Sequence, residues 1–546
     1  MKVAEAVGRA LTAAGVGHVF GVVGSGNFHL TNAMVAAGSR FVAARHEGGA
    51  ATMADAYARM SGTVAALSVH QGCGLTNAVT GIAEAAKSRT PLIVLAAEVT
   101  EPTSNFHVDQ DALAHAVGAV TARITSARDA AGQAGDAVRR ALYERRTVLL
   151  NVPLPVQLLD VPEGPPPVTA PPIAPAAVEP SAADVTALTG VLEGARRPVF
   201  VAGRGARPPG CRDALAALAE RYGALLATSA VARGLFHGDP WSLDVSGGFS
   251  SPLAAELIQG ADVIVGWGCA LNMWTTRHGR LIGPRTTVVQ VDDDASALGV
   301  HRDVSLGVTG DVELTARRAL ETAGAPRRGY RTTDLAAAVA ARVRWRDVPY
   351  EDTGDRERID PRTLSIALDD ILPDERVVGV DSGNFMGYPS MYLSVPDHYG
   401  FCFTQAFQSV GLGLATTIGA ALARPDRLPV AALGDGGALM GAAEFDTVRR
   451  LGLPMVVVVY NDDAYGAEVH HFGPAGHPLD TVEFPPTDIA AVARGHGFEA
   501  VTVRTPADLK AVEDWVAGPR SAPLLVDAKV VRDRGAWWLE EAFRGH

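Results

Sequence analysis

Asp435 and Asn461 lie 26 residues apart in GDGGALMGAAEFDTVRRLGLPMVVVVYNDDAYG, residues 434–466. An apolar run over 429–433 leads into the first glycine and reads as a buried parallel strand. A helix is expected over 439–451 and a second buried strand over 454–460. In such a strand–helix–strand unit both polar residues reach the carboxyl ends of adjacent parallel strands, the edge where open α/β sheets take ligands. A carboxylate, an amide oxygen and one backbone carbonyl are too few to cage Ca2+. They suit Mg2+ whose remaining ligands come from a diphosphate. Gly-Asp-Gly alone could equally cap a helix; the long interval spanning two strands is the rarer feature.

A second set of polar groups ends strands in the first hundred residues: Ser25, Glu47 and His70. Glu47 stands at a strand-to-helix turn in RHEGGAATMADAYAR (45–59), among glycines and alanines. Burial there would raise its pKa and keep a proton available. The alternative is a helix-initial glutamate stabilised by the helix dipole. His70 closes an apolar strand over 64–69, where a histidine also serves as a satisfied turn residue.

The elements needed to position these groups repeat as strand, helix, strand. That pattern predicts an α/β fold of doubly wound parallel sheets. Residues 1–160 form a first domain. Residues 161–182, VPEGPPPVTAPPIAPAAVEPSA, are proline-dense and read as an extended linker. Residues 183–335 form a central, Rossmann-like domain with strands over 198–202, 262–266 and 287–291. There Gly203-Arg204-Gly205 starts a G-x-G turn, but Pro208 replaces the third glycine, leaving nucleotide binding open. Residues 336–546 form the third domain. Ser-Gly-Asn-Phe occurs after a strand at both 25–28 and 382–385, and 74–98 parallels 411–435 in glycine and proline placement. These echoes predict first and third domains of one architecture.

The 546 residues carry a net charge of −12, which argues against a nucleic-acid or membrane-surface partner. The four cysteines are scattered without zinc spacing, as expected of reduced thiols in the cytoplasm. The opening MKVAEAVGRALTAAG is charged early and amphipathic, unlike a signal peptide, and no apolar run reaches membrane-spanning length.

With the GDG-to-Asn stretch, RHEGGAATMADAYAR and the GLTN-to-AAE run over 74–98 in hand, the chain resembles the acetolactate synthase and benzoylformate decarboxylase group of thiamine diphosphate enzymes. The resemblance implies thiamine diphosphate and Mg2+, with Asp435, Asn461 and the backbone carbonyl of Asp463 on the metal. Gly383, Asn384, Gly434, Gly436, Gly437, Asp463, Tyr465 and Gly466 would border the cofactor, and Val410 would wedge it into a bent shape. Glu47 would hydrogen-bond the aminopyrimidine, so that a thiazolium ylide forms, adds to a 2-oxo acid, and yields an enamine after CO2 leaves. Ser25 and His70 stand where benzoylformate decarboxylase has an active-site serine and histidine. That enzyme's second histidine is replaced by Leu271-Asn272-Met273-Trp274; His470 or His471 could take its role, or form an ordinary exposed turn. Phe106-His107 replaces the Phe-Gln of acetolactate synthases, and Trp537-Trp538-Leu539 would form either a lid or a packing tail. The implied activity is 2-oxo acid decarboxylation with carboligase capacity on a 2-oxo acid or aldehyde. Acetolactate synthase-type acyl transfer and a flavin-dependent oxidase of the same fold are the alternatives. In this family the first domain of one chain faces the third of another, which implies a homodimer or homotetramer.

Overall fold

The computed structural model describes residues 1–162 and 176–539, so most of the proline-rich linker lies outside the described residues. Its strands form three sheets of six, all paired in parallel. The first contains β1 (His18–Gly21), β2 (Arg40–Ala43), β3 (Ala65–Val69), β4 (Leu92–Glu98), β5 (Val120–Arg123) and β6 (Thr147–Pro153), in the order β2-β1-β3-β4-β6-β5. The second contains β7 (Pro198–Ala202), β8 (Leu225–Thr228), β9 (Ser242–Val245), β10 (Val263–Trp267), β11 (Thr287–Asp292) and β12 (Leu306–Thr309), in the order β12-β11-β10-β7-β8-β9. The third contains β13 (Arg376–Val380), β14 (Phe401–Cys402), β15 (Leu428–Gly434), β16 (Val456–Asn461), β17 (Glu499–Val503) and β18 (Leu524–Lys529), in the order β14-β13-β15-β16-β18-β17. Strands such as β16, Val-Val-Val-Val-Tyr-Asn, are buried along their whole length because helices cover both faces.

Numbered from its own first strand, the third sheet repeats the order of the first, whereas the middle sheet has the Rossmann order. The expected likeness of the outer domains is therefore present, but one of the two sequence echoes is out of register. Residues 74–98 run into β4, the fourth strand of their sheet, while 411–435 run into β15, the third of theirs. The element equivalent to the helix Gly413–Ala423 is the helix Glu47–Ser61. Both echo segments place glycines where helices cross closely, and that shared demand produced the match.

These two equivalent helices pack on each other, and a single apolar core runs through both outer domains, from Ala50, Met53 and Ala54 to Leu414, Ile418 and Phe445. Small side chains permit the approach. A Cβ on Gly419 would lie 2.2 Å from the Met53 carbonyl oxygen, and one on Gly81 would lie 2.6 Å from Ala51 Cβ. Beside this seam the largely buried Arg59 pairs with the buried Asp55 (2.5 Å) and Glu84 (2.8 Å) and donates to the Phe403 carbonyl (3.0 Å) of the third domain. The single helix expected over 439–451 is instead two short ones, Asp435–Met440 and Phe445–Arg450, with a tight turn between them. Gly441 ends the first of them, and a 3-10 turn over Ala442–Glu444 leads into the second.

Gly419→Ala should lower the thermal unfolding midpoint despite the better helix propensity of alanine. Overpacking of this kind costs about 1–3 kcal/mol, against about 1 kcal/mol gained by replacing a helical glycine. A raised midpoint would show that the two helices are not in this close contact.

Candidate active site

Asp435 follows β15 directly and opens its helix, and Asn461 is the last residue of the neighbouring β16. Burial pushes the Asp435 carboxyl up to about 6, against hydrogen bonds from the Gly436 and Ala464 amides. Burial and then the charge of Asp435 push Asp462 up to about 7. Neither carboxylate has a lysine or arginine partner among the described residues. A bound divalent cation is the compensating charge that such a pair fits.

Asn461 is fully buried. Its amide nitrogen donates to Asp527 (2.9 Å), and its oxygen accepts from the Asp463 amide (3.1 Å). A carboxylate only accepts, so Asp527 determines which end of the Asn461 amide faces it and turns the oxygen toward the 461–463 turn. Lys529 neutralises Asp527 at 3.1 Å. Asp463 adopts φ +54°, and its carboxylate accepts from Arg358 (2.6 Å), which also donates to the Asn461 carbonyl (3.4 Å). The Asp463 carbonyl expected on the metal already accepts from the Phe484 amide (2.9 Å), leaving its second lone pair for an ion.

The residues expected to border a cofactor surround this turn. A Cβ on Gly436 would meet the Tyr465 ring, one on Gly437 would reach Val410 Cγ1 at 3.5 Å, one on Gly434 would meet Phe385, and one on Gly466 would meet Asp462 and Asn384. Val410 is 40% exposed, so it is no core valine; it overlooks Gly437 from an open edge. Its loop is held by Asp381, whose buried carboxylate accepts from the amides of Ser382, Gly411 and Leu412. Burial nevertheless pushes Asp381 up to about 6. Asp381 was not among the residues singled out in the sequence, although its position at the end of β13 was visible there. Asn384 accepts from the Ala536 amide (2.8 Å), and its carbonyl accepts from the indole of Trp538 (3.0 Å). Trp538 and Leu539 are buried, so the C-terminal aromatic segment packs as a tail, with Trp537 at its margin.

On the first sheet, Ser25 follows β1 and His70 follows β3, adjacent strands at which the order reverses. Ser25 Oγ lies 3.4 Å from His70 Nε2, and His70 Nδ1 lies 2.9 Å from the Gln71 carbonyl. A carbonyl cannot donate, so neutral His70 carries its proton on Nδ1, and Nε2 accepts from Ser25. Glu47 accepts from the Asn77 amide group (3.1 Å), and its other oxygen lies 3.4 Å from where a Cβ on Gly74 would stand. The same Gly74 position faces His70, so Ser25, His70 and Glu47 share one edge. Glu47 is half-buried in this chain, not enclosed as its apolar sequence context implied, because the Gly-rich turn leaves one side open. Phe106 stands beside this group, with its ring 5.2 Å from that of His70. His470 and His471 lie in the helix Gly466–Phe472 and are partly buried, so they form no exposed turn. Burial lowers the His470 pKa. No hydrogen bond among the described residues joins either histidine to Ser25, Glu47 or His70.

A cavity of about 1110 Å3 opens at the strand ends of the middle sheet, bordered by Arg204, Arg207, Asp292 and Tyr399. Gly203 and Gly205 flank its switch point; a Cβ on Gly203 would meet Gly268 and Cys269 and one on Gly205 would meet Gly268, so these glycines serve loop-to-loop packing.

Three family models match in chain order: the thiamine pyrophosphate enzyme N-terminal TPP binding domain at residues 1–118, the central domain at 185–319 and the C-terminal TPP binding domain at 381–528. A putative acetolactate synthase large subunit from Mycobacterium tuberculosis is 29% identical over 90% of this chain and 92% of its own. A sulfoacetaldehyde acetyltransferase from Alcaligenes xylosoxydans is 29% identical over 86% of this chain and 82% of its own. A probable 2-ketoarginine decarboxylase from Pseudomonas aeruginosa is 28% identical over 93% of this chain and 90% of its own. In three dimensions the chain resembles a thiamine diphosphate-dependent 4-hydroxybenzoylformate decarboxylase from Rhodococcus jostii, with TM-score 0.81 and 22% identity, covering 97% of this chain and 99% of that one. With both TPP binding domains and the central domain matched in order around these two sheet edges, the chain belongs to the thiamine pyrophosphate enzymes.

Proposed function

We propose that the chain decarboxylates a 2-oxo acid and either releases the shortened product as an aldehyde or joins it to a second carbonyl compound. The observation that carries this reading is the Ser25–His70 pair, 3.4 Å apart, on the same sheet edge as Glu47. When bound, thiamine diphosphate supplies a nucleophilic carbon and an electron sink for CO2 loss. Asp435, Asn461 and the Asp463 carbonyl would hold its Mg2+, and Glu47 would hydrogen-bond its aminopyrimidine ring. Ser25, donating to substrate in place of His70, orients the 2-oxo acid carboxylate. His70 Nε2 takes up a proton and returns it to the carbon that loses CO2. His470, whose Nε2 is buried without a hydrogen-bond partner among the described residues, is held as a second proton carrier, with His471 beside it in the helix.

Contacts of Glu47 with Asn77 and Gly74 stay within the first domain, and those of Asp435 stay within the third. Exposed apolar side chains collect near both edges, with Val23, Phe28 and Phe106 on one and Val410, Leu439, Met440 and Tyr465 on the other. Both observations support a homodimer or homotetramer whose site is completed between copies. Acyl transfer to an acceptor is the second reading, supported by the acetolactate synthase and acetyltransferase relatives. A flavin-dependent oxidase of the same fold is the third reading, for which the cavity of about 1110 Å3 leaves room while the incomplete glycine turn at Gly203 counts against it; a colourless purified protein would discard that version.

Incubation of the protein with thiamine diphosphate, Mg2+ and a panel of 2-oxo acids should release CO2, with aldehyde or 2-hydroxy ketone as product. Consumption of every active substrate without CO2 would refute the proposal. Glu47→Gln should abolish turnover while circular dichroism stays unchanged. His70→Ala should slow decarboxylation at least ~100-fold, the range of a lost general acid or base. Asp527→Asn frees the Asn461 amide to flip and should weaken Mg2+ binding about 10–100-fold. Calorimetric Mg2+ affinity equal to the parent's would remove Asp527 from the site.

A further inference from the structure

The turn that presents Glu47 is gripped by the other outer domain of the same chain. Glu444 lies between the two short helices that follow Asp435, and its side chain is 3% exposed. Its Oε1 accepts from the backbone amides of Arg45 and His46, both at 3.0 Å, and its Oε2 accepts from Thr447 Oγ1 at 2.6 Å. Arg45 Nε donates to Asp446 (2.6 Å), and Arg450 donates to the Ala43 carbonyl (2.7 Å). Gly49 makes room: a Cβ there would lie 2.6 Å from Glu444 Oε1. Every backbone contact falls on residues 43–46, the four that lead into Glu47.

The same device recurs in the opposite direction. Glu84, fully buried in the first domain, accepts from the amides of Ala406 (3.1 Å) and Phe407 (2.6 Å) in the third. That loop carries Val410 and leads into the helix Gly413–Ala423, the equivalent of the Glu47 helix. Glu84 also pairs with Arg59, whereas Glu444 has no cationic partner among the described residues and is committed to the amides and Thr447. A carboxylate accepting two backbone amides one turn before a helix is a rigid link, because each hydrogen bond to a charged acceptor is about twice as strong as a neutral one.

We propose that Glu444 is a positioning residue for Glu47: the third domain of each chain sets where its own Glu47 stands before another copy completes the site. This rests on the reading of Glu47 given above. The segment 435–446 thus bears on two sites at once, with Asp435 in one and the Glu47 turn of the other at its far end.

Two replacements separate the acceptor from the charge. Glu444→Gln keeps an oxygen for both amides; Glu444→Leu keeps the volume and removes it. Backbone hydrogen exchange over 43–49 and steady-state kinetics are read together. In Glu444→Leu the Arg45 and His46 amides should exchange at least about tenfold faster. Its kcat should fall at least about tenfold with KM for the 2-oxo acid within about threefold, as misplacement of a reacting group predicts. Glu444→Gln should restore both readouts to within about threefold of the parent. Parent-like exchange or kcat in Glu444→Leu, or equal impairment in Glu444→Gln, overturns the proposal. If Glu444→Leu does not fold, Thr447→Val loosens the same carboxylate and should speed exchange and lower kcat to a smaller degree; no change in either overturns the proposal. Full turnover in Glu47→Gln would sink the underlying reading, whereas an inactive Glu47→Gln beside a fully active Glu444→Leu would sink the clamp alone.

Discussion

The close crossing of the helices Glu47–Ser61 and Gly413–Ala423 is the constraint on which the rest of the molecule depends. It merges two domains of one strand order into a common core, and it works because glycine and alanine line the seam. Around it lies buried charge that ties the domains together: Glu84 and Glu444 each accept backbone amides of the other domain, and Arg59, paired with Asp55 and Glu84, donates to the Phe403 carbonyl. Such groups are costly to leave unpaired away from water. The two outer domains are consequently fixed in one relative orientation, and the sheet edges they present are fixed with them.

Each edge presents its own set of polar groups. The third sheet presents carboxylates that, among the described residues, lack a countercharge, and an asparagine whose orientation is dictated from behind by Asp527. The first presents a serine and a histidine in a defined tautomer beside a half-exposed glutamate. The half-burial of Glu47 and the exposure of Val410 follow from one fact: both sit on edges that the single chain leaves open. The middle domain stands apart in strand order, and the large cavity at its strand ends is lined by residues of all three domains, among them Arg59, Arg204 and Tyr399.

Much of the fold was legible along the chain. Long valine-rich runs ending in Gly-Asp-Gly or Asn-Asp-Asp mark buried parallel strands, because a strand covered on both faces has no polar positions to alternate. Short or edge strands such as β5, β14 and β17 escaped notice: β14 is two residues long, too short for a pattern, and β5 and β17 are partly exposed, which weakens their apolar signal. The helix expected over 439–451 was misjudged because Gly441, a poor helix former, stands inside an otherwise helical pattern, and the chain breaks there into two short helices. The echo of 74–98 in 411–435 was genuine as a glycine pattern and misleading as an alignment, because close helix crossings recur at successive βα units.

Residue types and spacing by themselves determined the fold class, the family resemblance and the candidate groups at strand ends, because these depend on periodicity and on chemistry carried by single side chains. Asp381, Arg358, Asp527 and Glu444 gained meaning only when the chain was folded. Each acts on a backbone amide, a carbonyl or a side-chain amide distant in sequence, and a hydrogen bond to such a group leaves no trace in local composition. Tertiary structure alone decided which end of the Asn461 amide faces the turn, which nitrogen of His70 is protonated, and how the third domain holds the approach to Glu47.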